Sequence, residues 1–123
     1  MIINRKKILV VDDELEVVEL LKKFLERMEY DVITAGDGME GFQKAGEENP
    51  DLILLDIVMP KVDGLTVLKK LRAEEATRKI PVIMLTTKRR TDSIFEAEGD
   101  GAMDYIMKPF ELEELLRLIK RYI

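Results

Sequence analysis

Five polar or charged side chains stand where short apolar runs of the sequence end. Asp12 and Asp13 follow one run, Asp56 a second, Thr86 a third and Lys108 a fourth. Two carboxylates about 4 Å apart repel each other by roughly 4 kcal/mol at an effective dielectric constant of about 20, so clustered aspartates require a cation. Lys108 offers one positive charge, and a divalent ion bound by oxygen atoms would offer two more. The residue types therefore indicate an acidic, cation-binding site if the fold brings the ends of these runs together.

The apolar runs are predicted to be β-strands that alternate with helices. Short runs rich in β-branched residues predict strands, and apolar residues that recur every three or four positions predict amphipathic helices. The predicted strands cover residues 7–11, 31–35, 52–56, 80–86 and 102–108. A helix follows each strand, the fourth around residues 94–98, and Asp63 is predicted to cap the third. The order is βαβαβαβαβα.

The first and last helices are each predicted to pack one apolar stripe on the sheet. The stripe of the first helix comprises Leu15, Val18, Leu21, Leu25 and Met28. The stripe of the last helix comprises Leu112, Leu115, Leu116, Ile119 and Ile123. Leu118 and Tyr122 fall outside that stripe, either as part of a partner surface or as isolated exposed apolar residues, which are common.

This alternation predicts an α/β fold, a flavodoxin-like doubly wound sheet of five parallel strands with five helices on its two faces. The strand order 2-1-3-4-5 is the one expected for five such units. In that order the chain changes direction between strands 1 and 3, and ligands bind there, beyond the carboxyl ends of the strands. Asp12, Asp13 and Asp56 would then converge, with Thr86 and Lys108 on the same edge.

Length and composition indicate one globular domain over residues 1–123. The 123 residues are 46% hydrophobic and 37% charged, which suits a packed core with an ionised surface. A net charge of −5 gives no support to direct nucleic-acid binding. The sequence has neither an apolar run long enough to cross a bilayer nor the pattern of a signal peptide, so we expect no membrane insertion and a cytoplasmic location.

Cysteine and histidine are both absent. Their absence removes thiolate chemistry and the commonest transition-metal ligand, so any metal would be bound by oxygen. A few carboxylates and water molecules at an open strand end suit Mg²⁺, with Mn²⁺ able to take its place, whereas Ca²⁺ requires more ligands.

Most of these site residues also have a purely structural interpretation. Asp12 and Asp13 could cap the first helix, Thr86 could be a routine strand-end hydroxyl and Lys108 a solvated loop residue. Asp56 is harder to explain in this way, because an acid at the end of a buried strand is costly without a partner. The combination of all these positions favours a functional site.

Together the motifs resemble the receiver domain of two-component response regulators. The segments VVDDE, LLDIVMPKVDG, VIMLTT and DYIMKPF support the resemblance, which extends over the whole chain. It implies that Asp56 accepts a phosphoryl group from a phosphohistidine on a histidine kinase or histidine phosphotransfer protein. It also implies that Lys108 pairs with the phosphoryl oxygens. The implied Mg²⁺ ligands are Asp13, Asp12 largely through water, Asp56 and the backbone carbonyl of Val58.

The resemblance further implies a signalling switch instead of a turnover enzyme. Thr86 would move toward the phosphoryl group and Tyr105 would turn inward. The surface formed by the fourth helix, the fifth strand and the fifth helix would then change its affinity for a downstream protein target or a separate effector domain. Thr87 departs from the family pattern, which has a small residue whose backbone N–H faces the phosphoryl group. Its β-branched side chain is expected to restrict access to the phosphate or to slow Thr86.

The alternative function is that of an aspartate-nucleophile phosphohydrolase, which also places its acid at the end of a parallel strand. Those enzymes have a second acid two residues beyond the nucleophile, where this chain has Val58. A nucleotide-binding module is disfavoured, because no glycine-rich phosphate loop is present. The basic run at residues 88–90 is predicted to be a solvated loop near the site or a segment that steers an acidic partner.

Overall fold

Five parallel strands form one sheet in the computed structural model, which describes residues 4–87, 99 and 101–123. The strands are β1 (Lys7–Val11), β2 (Asp31–Ala35), β3 (Leu52–Asp56), β4 (Val82–Thr87) and β5 (Asp104–Lys108). Their order is β2-β1-β3-β4-β5, and every neighbouring pair is parallel. The predicted strand order and the change of direction between β1 and β3 are confirmed.

Four helices lie in the described part of the chain. They are α1 (Leu15–Arg27), α2 (Gly38–Glu48), α3 (Gly64–Ala73) and α4 (Leu112–Tyr122). The helix predicted around residues 94–98 falls outside the described residues, so α4 is the last of the five predicted helices. Asp63 caps α3 as predicted, because its Oδ1 accepts a hydrogen bond from the Thr66 N–H at 2.9 Å. No helix in the described ranges is both long and apolar enough to cross a lipid bilayer.

The sheet is covered on both faces, which explains why its strands are almost continuously apolar. One face packs on α2 and α3 through Leu9, Val11, Ile53 and Leu55, and the other packs on α1 and α4 through Ile8, Val10, Leu52 and Leu54. β3 lies at the centre of the sheet, and all five of its residues are buried. This strand places Asp56 at the sheet edge.

The predicted apolar stripes of two helices are wrong in part. Leu15 is 73% exposed and Met28 is also exposed, whereas Val18, Leu21 and Leu25 are buried. Leu15 is the first residue of α1 and Met28 follows the last, so both lie at helix ends, where a side chain that shares the stripe has less of the sheet beneath it.

In α4, Leu118 and Tyr122 pack against the core cluster on the α1 side of the sheet. The Tyr122 hydroxyl donates hydrogen bonds to Asp104 Oδ2 at 2.9 Å and to the Met103 carbonyl oxygen at 3.0 Å. The prediction that these two residues lie outside the packed face is therefore wrong, because the face that α4 buries is wider than one stripe.

Candidate functional site

The carboxyl ends of β1 and β3 bring three aspartates to one point. Asp12 follows β1 directly, and Asp56 is the last residue of the adjacent strand β3. Asp12, Asp13 and Asp56 each have a carboxylate oxygen that lies within 4.8 Å of those of the other two. Asp12 and Asp56 are buried, with Asp56 only 4% exposed, whereas Asp13 is exposed. The convergence expected from the strand ends is present.

Among the described residues, Lys108 is the cation that reaches this cluster. It is the last residue of β5, and its ammonium Nζ lies 2.7 Å from Asp12 Oδ2 and 3.4 Å from Asp56 Oδ1. The same Nζ lies 3.3 Å from Oε1 of Glu14. One ammonium therefore faces three carboxylates, with that of Asp13 close by, and neutralises only part of their charge.

The electrostatics of the site raise the pKa of both Asp56 and Lys108. Burial and the neighbouring Asp12 raise the pKa of Asp56 to about 7, although Lys108 opposes this shift. Burial alone would lower the pKa of Lys108, but its hydrogen bond and charge interaction with Asp12 and the charge of Asp56 outweigh burial and raise it. Lys108 is thus charged at neutral pH, whereas ionisation of Asp56 is costly without an additional cation.

Asp12 uses both oxygens of its carboxylate to organise the site. Oδ1 accepts a hydrogen bond from the Glu14 backbone N–H at 2.9 Å, and Oδ2 accepts one from Lys108. Glu14 itself is the N-cap of α1 and makes no side-chain capping bond. Asp12 is therefore fixed by the start of α1 but is not its cap.

Gly64 holds the loop that follows Asp56. Its N–H donates a hydrogen bond to the Ile57 carbonyl oxygen at 2.8 Å. A Cβ atom on Gly64 would overlap the carbonyl oxygen of Asp56 and would lie 2.9 Å from the Cα of Ile57. Only glycine fits here. The spacing of apolar and polar residues in the sequence does not reveal this close approach.

Val58 lies in the same loop, two residues beyond Asp56, with an exposed side chain. The predicted role of its backbone carbonyl as a metal ligand stays a prediction. Val58 also puts an apolar residue where the alternative phosphohydrolase would have an acid.

Thr86 and Thr87 end β4 beside the site. Thr86 is fully buried, and its hydroxyl donates a long hydrogen bond, 3.3 Å, to the Thr87 carbonyl oxygen. Thr87 is exposed and pairs with Lys108 in the sheet register. Tyr105, on β5, is 37% exposed. The basic run at residues 88–90 lies outside the described residues.

The donor set suits a hard divalent cation. Carboxylate oxygens are the ligands that Mg²⁺ prefers, and three of them converge here. The negative charge that Lys108 does not neutralise favours such an ion. Asp12, Asp13 and Asp56 are the side chains in the described ranges that would hold it.

Comparison with known sequences identifies relatives of this chain. The family model described as the response regulator receiver domain matches residues 8–120. The alkaline phosphatase synthesis transcriptional regulatory protein PhoP of Bacillus subtilis (strain 168) is 49% identical over 116 residues, which cover 94% of this chain and 47% of that protein. The DNA-binding dual master transcriptional regulator RpaA of Synechocystis sp. is 42% identical over 114 residues, which cover 93% of this chain and 47% of that protein. The chain thus spans about half the length of these curated relatives.

Solved structures agree with the fold. The chemotaxis protein CheY4 of Vibrio cholerae superposes with a TM-score of 0.92 at 32% identity, covering 98% of this chain and 100% of that one. The receiver domain of the sensor histidine kinase PA1611 from Pseudomonas aeruginosa PAO1 superposes with a TM-score of 0.88 at 29% identity. This match covers 97% of our chain and 98% of the other, whose structure has a magnesium ion coordinated in the active site cleft.

Proposed function

Because this chain belongs to the receiver-domain family of two-component response regulators, we propose that it is a Mg²⁺-dependent signalling switch with Asp56 as its phosphoryl acceptor. The main support is the position of Asp56, a buried carboxylate at the sheet edge that faces both an acidic cluster and Lys108. The donor is a phosphohistidine on a histidine kinase or histidine phosphotransfer protein. It must be external, because this chain contains no histidine.

In the proposed reaction a carboxylate oxygen of Asp56 attacks the phosphorus atom of the phosphohistidine. A P–O bond forms as the P–N bond breaks, and the donor histidine leaves with the electron pair of the broken bond. Lys108 offsets the charge on the phosphoryl oxygens, since such transfers depend mainly on positioning and charge stabilisation. Asp13, Asp56, the Val58 carbonyl and, largely through water, Asp12 would hold Mg²⁺ or Mn²⁺, which when bound would supply further positive charge at this point. The product is an aspartyl phosphate.

Thr86 and Tyr105 are the proposed switch residues. Among the described residues, the Thr86 hydroxyl has one hydrogen bond, a long one of 3.3 Å to the Thr87 carbonyl oxygen. Exchanging this bond for one to a phosphoryl oxygen therefore costs little free energy. Tyr105 is partly exposed, and we propose that it turns inward as Thr86 moves. The surface formed by the predicted fourth helix, β5 and α4 would then change its affinity for a protein target or a separate effector domain.

Thr87 is proposed to modify the switch. Its backbone N–H would face the phosphoryl group, and its exposed, β-branched side chain stands at the same edge as Lys108. In this proposal the protein does not turn over an external substrate. It would catalyse at most its own phosphorylation from small donors and the hydrolysis of its own aspartyl phosphate. A cytoplasmic location, with no direct contact to nucleic acid, belongs to the same proposal.

Labelling by acetyl phosphate tests the acceptor. Wild-type protein incubated with acetyl phosphate and Mg²⁺ should gain the mass of one phosphoryl group, measured by intact-protein mass spectrometry, and Asp56→Asn should not. Asp31→Asn is the matched control, because Asp31 is an exposed aspartate at the start of β2 and should leave labelling unchanged. Equal labelling of wild type and Asp56→Asn would show the assignment of Asp56 to be wrong. Steady hydrolysis of a phosphate monoester would instead favour the phosphohydrolase.

A further inference from the structure

Glu14 is a third carboxylate partner of Lys108 that the proposed phosphoryl transfer does not use. Its Oε1 lies 3.3 Å from Nζ of Lys108, and its side chain is 61% exposed. The other two partners are buried: Asp12 at 2.7 Å and Asp56 at 3.4 Å. The ammonium has three N–H donors, and in this structure three carboxylates surround it.

We propose that Glu14, the exposed carboxylate partner of Lys108, makes the site discriminate against strongly anionic phosphodonors. This inference rests on the proposed function, since it concerns the acceptance of phosphate by Asp56. A phosphoryl group on Asp56 adds up to two negative charges and three acceptor oxygens near Lys108. Phosphoryl oxygens on Asp56 would therefore compete with the carboxylates for the three N–H donors of Lys108.

Glu14 is the partner that gives way at least cost. Asp12 makes the shortest contact with Lys108 and is buried, so breaking that ion pair would leave a buried charge without its partner. Asp56 is the acceptor itself. Glu14 can exchange the ammonium for water, because exposed ion pairs contribute little to stability.

Glu14 also places a negative charge beside Lys108, the cation proposed to pair with the phosphoryl oxygens. Together with Thr87, Lys108 and Phe110, it lines an open groove of about 430 Å³ along the start of α1. Lys108 and Glu14 thus face the same space with opposite charges. A donor with two negative charges meets more repulsion from Glu14 than a donor with one.

Two small phosphodonors of different charge test the inference. At about neutral pH acetyl phosphate is mainly a dianion, whereas phosphoramidate has one net negative charge. With saturating Mg²⁺, Glu14→Gln should raise the rate of Asp56 phosphorylation about fourfold with acetyl phosphate and about twofold with phosphoramidate, as expected for removal of one solvent-screened charge. The ratio of the two rates is informative, because a merely structural role would change both rates equally.

Glu16→Gln is the matched control, since Glu16 is an exposed acid in the first turn of the same helix. It should change both rates by less than about 1.5-fold, because a solvent-screened charge farther from Lys108 has little effect. Unchanged rates in Glu14→Gln, or equal acceleration by both donors, would overturn the role of Glu14 while labelling of Asp56 persisted. The role of Glu14 would also be overturned if Glu16→Gln accelerated phosphorylation by acetyl phosphate more than phosphorylation by phosphoramidate. Failure of wild type to accept phosphate from either donor would instead count against the proposed function.

Discussion

At the residue scale, Asp56 destabilises the metal-free fold when it is ionised. Its pKa is about 7 in the folded protein, against an ordinary value of 3.8. Between these values the folded chain retains a proton that the unfolded chain has lost, so the free energy of unfolding falls as the pH rises from about 4 to about 7. In chelator-treated buffer at about pH 8, Asp56→Asn should therefore be more stable than wild type, by about 2 to 4 kcal/mol.

Urea titrations at about pH 5 and about pH 8 measure this difference. The advantage of Asp56→Asn should shrink at the lower pH, where the wild-type carboxyl is mostly protonated. Asp31→Asn, which changes an exposed aspartate, should show no comparable gain. If Asp56→Asn were no more stable than wild type at about pH 8, burial and repulsion would not impose the cost inferred here.

The sequence predicts part of this site and not the rest. Asp12, Asp56 and Lys108 could be assigned to one edge because the carboxyl ends of parallel strands meet there. The contact between Glu14 and Lys108 could not, because it depends on the conformations of two flexible side chains. The end of a predicted strand indicates the sheet edge at which a side chain lies, but it does not indicate which side chain that residue contacts.

At the element scale, the loop between β3 and α3 depends on one glycine. A methyl group at position 64 would press on the backbone of Asp56 and Ile57, which the centre of the sheet holds in place. Gly64→Ala should lower the free energy of unfolding by about 2 to 4 kcal/mol. It should also slow phosphorylation, because the acceptor's backbone must shift to relieve the overlap.

Gly46→Ala is the matched control for Gly64→Ala and should change the free energy of unfolding in the opposite direction. Gly46 lies inside α2, and a Cβ there would meet no atom within 4 Å, so alanine should raise stability by about 0.5 to 1 kcal/mol through helix propensity. Measured free energies of unfolding that moved in the same direction for both variants would contradict the close packing assigned to Gly64.

The buried faces of α1 and α4 could be predicted only in part from the sequence. Periodicity correctly identified Val18, Leu21 and Leu25 as the buried face of α1, because those residues lie over the sheet. It wrongly included Leu15, since a repeat of three to four residues does not reveal where the sheet beneath the helix ends. The same repeat omitted Leu118 of α4, which packs on the core from the flank of its stripe.

At the scale of the whole molecule, strand order could be predicted because few arrangements satisfy the sequence. Alternation of strands and helices implies right-handed crossovers. The continuous apolar run of β3 fits a strand that helices cover on both faces of the sheet. Those constraints bring together acids that are more than forty residues apart, and the mutual repulsion of these acids is a property of the complete fold.

Binding of a divalent cation should therefore stabilise the whole domain. An ion that binds only the folded chain adds RT ln(1 + [L]/Kd), about 1.4 kcal/mol at about ten times Kd. The gain at a fixed Mg²⁺ concentration should be larger at about pH 8 than at about pH 5, because binding at the lower pH must displace the proton of Asp56.

Thermal unfolding of wild type and Asp56→Asn with and without Mg²⁺, at constant ionic strength, measures both effects. Asp56→Asn loses one carboxylate ligand and should show the smaller shift. Coincident melting curves for wild type with and without Mg²⁺ would refute the assignment of the three aspartates as a metal site, because the protein's own Lys108 would then suffice to balance their charge.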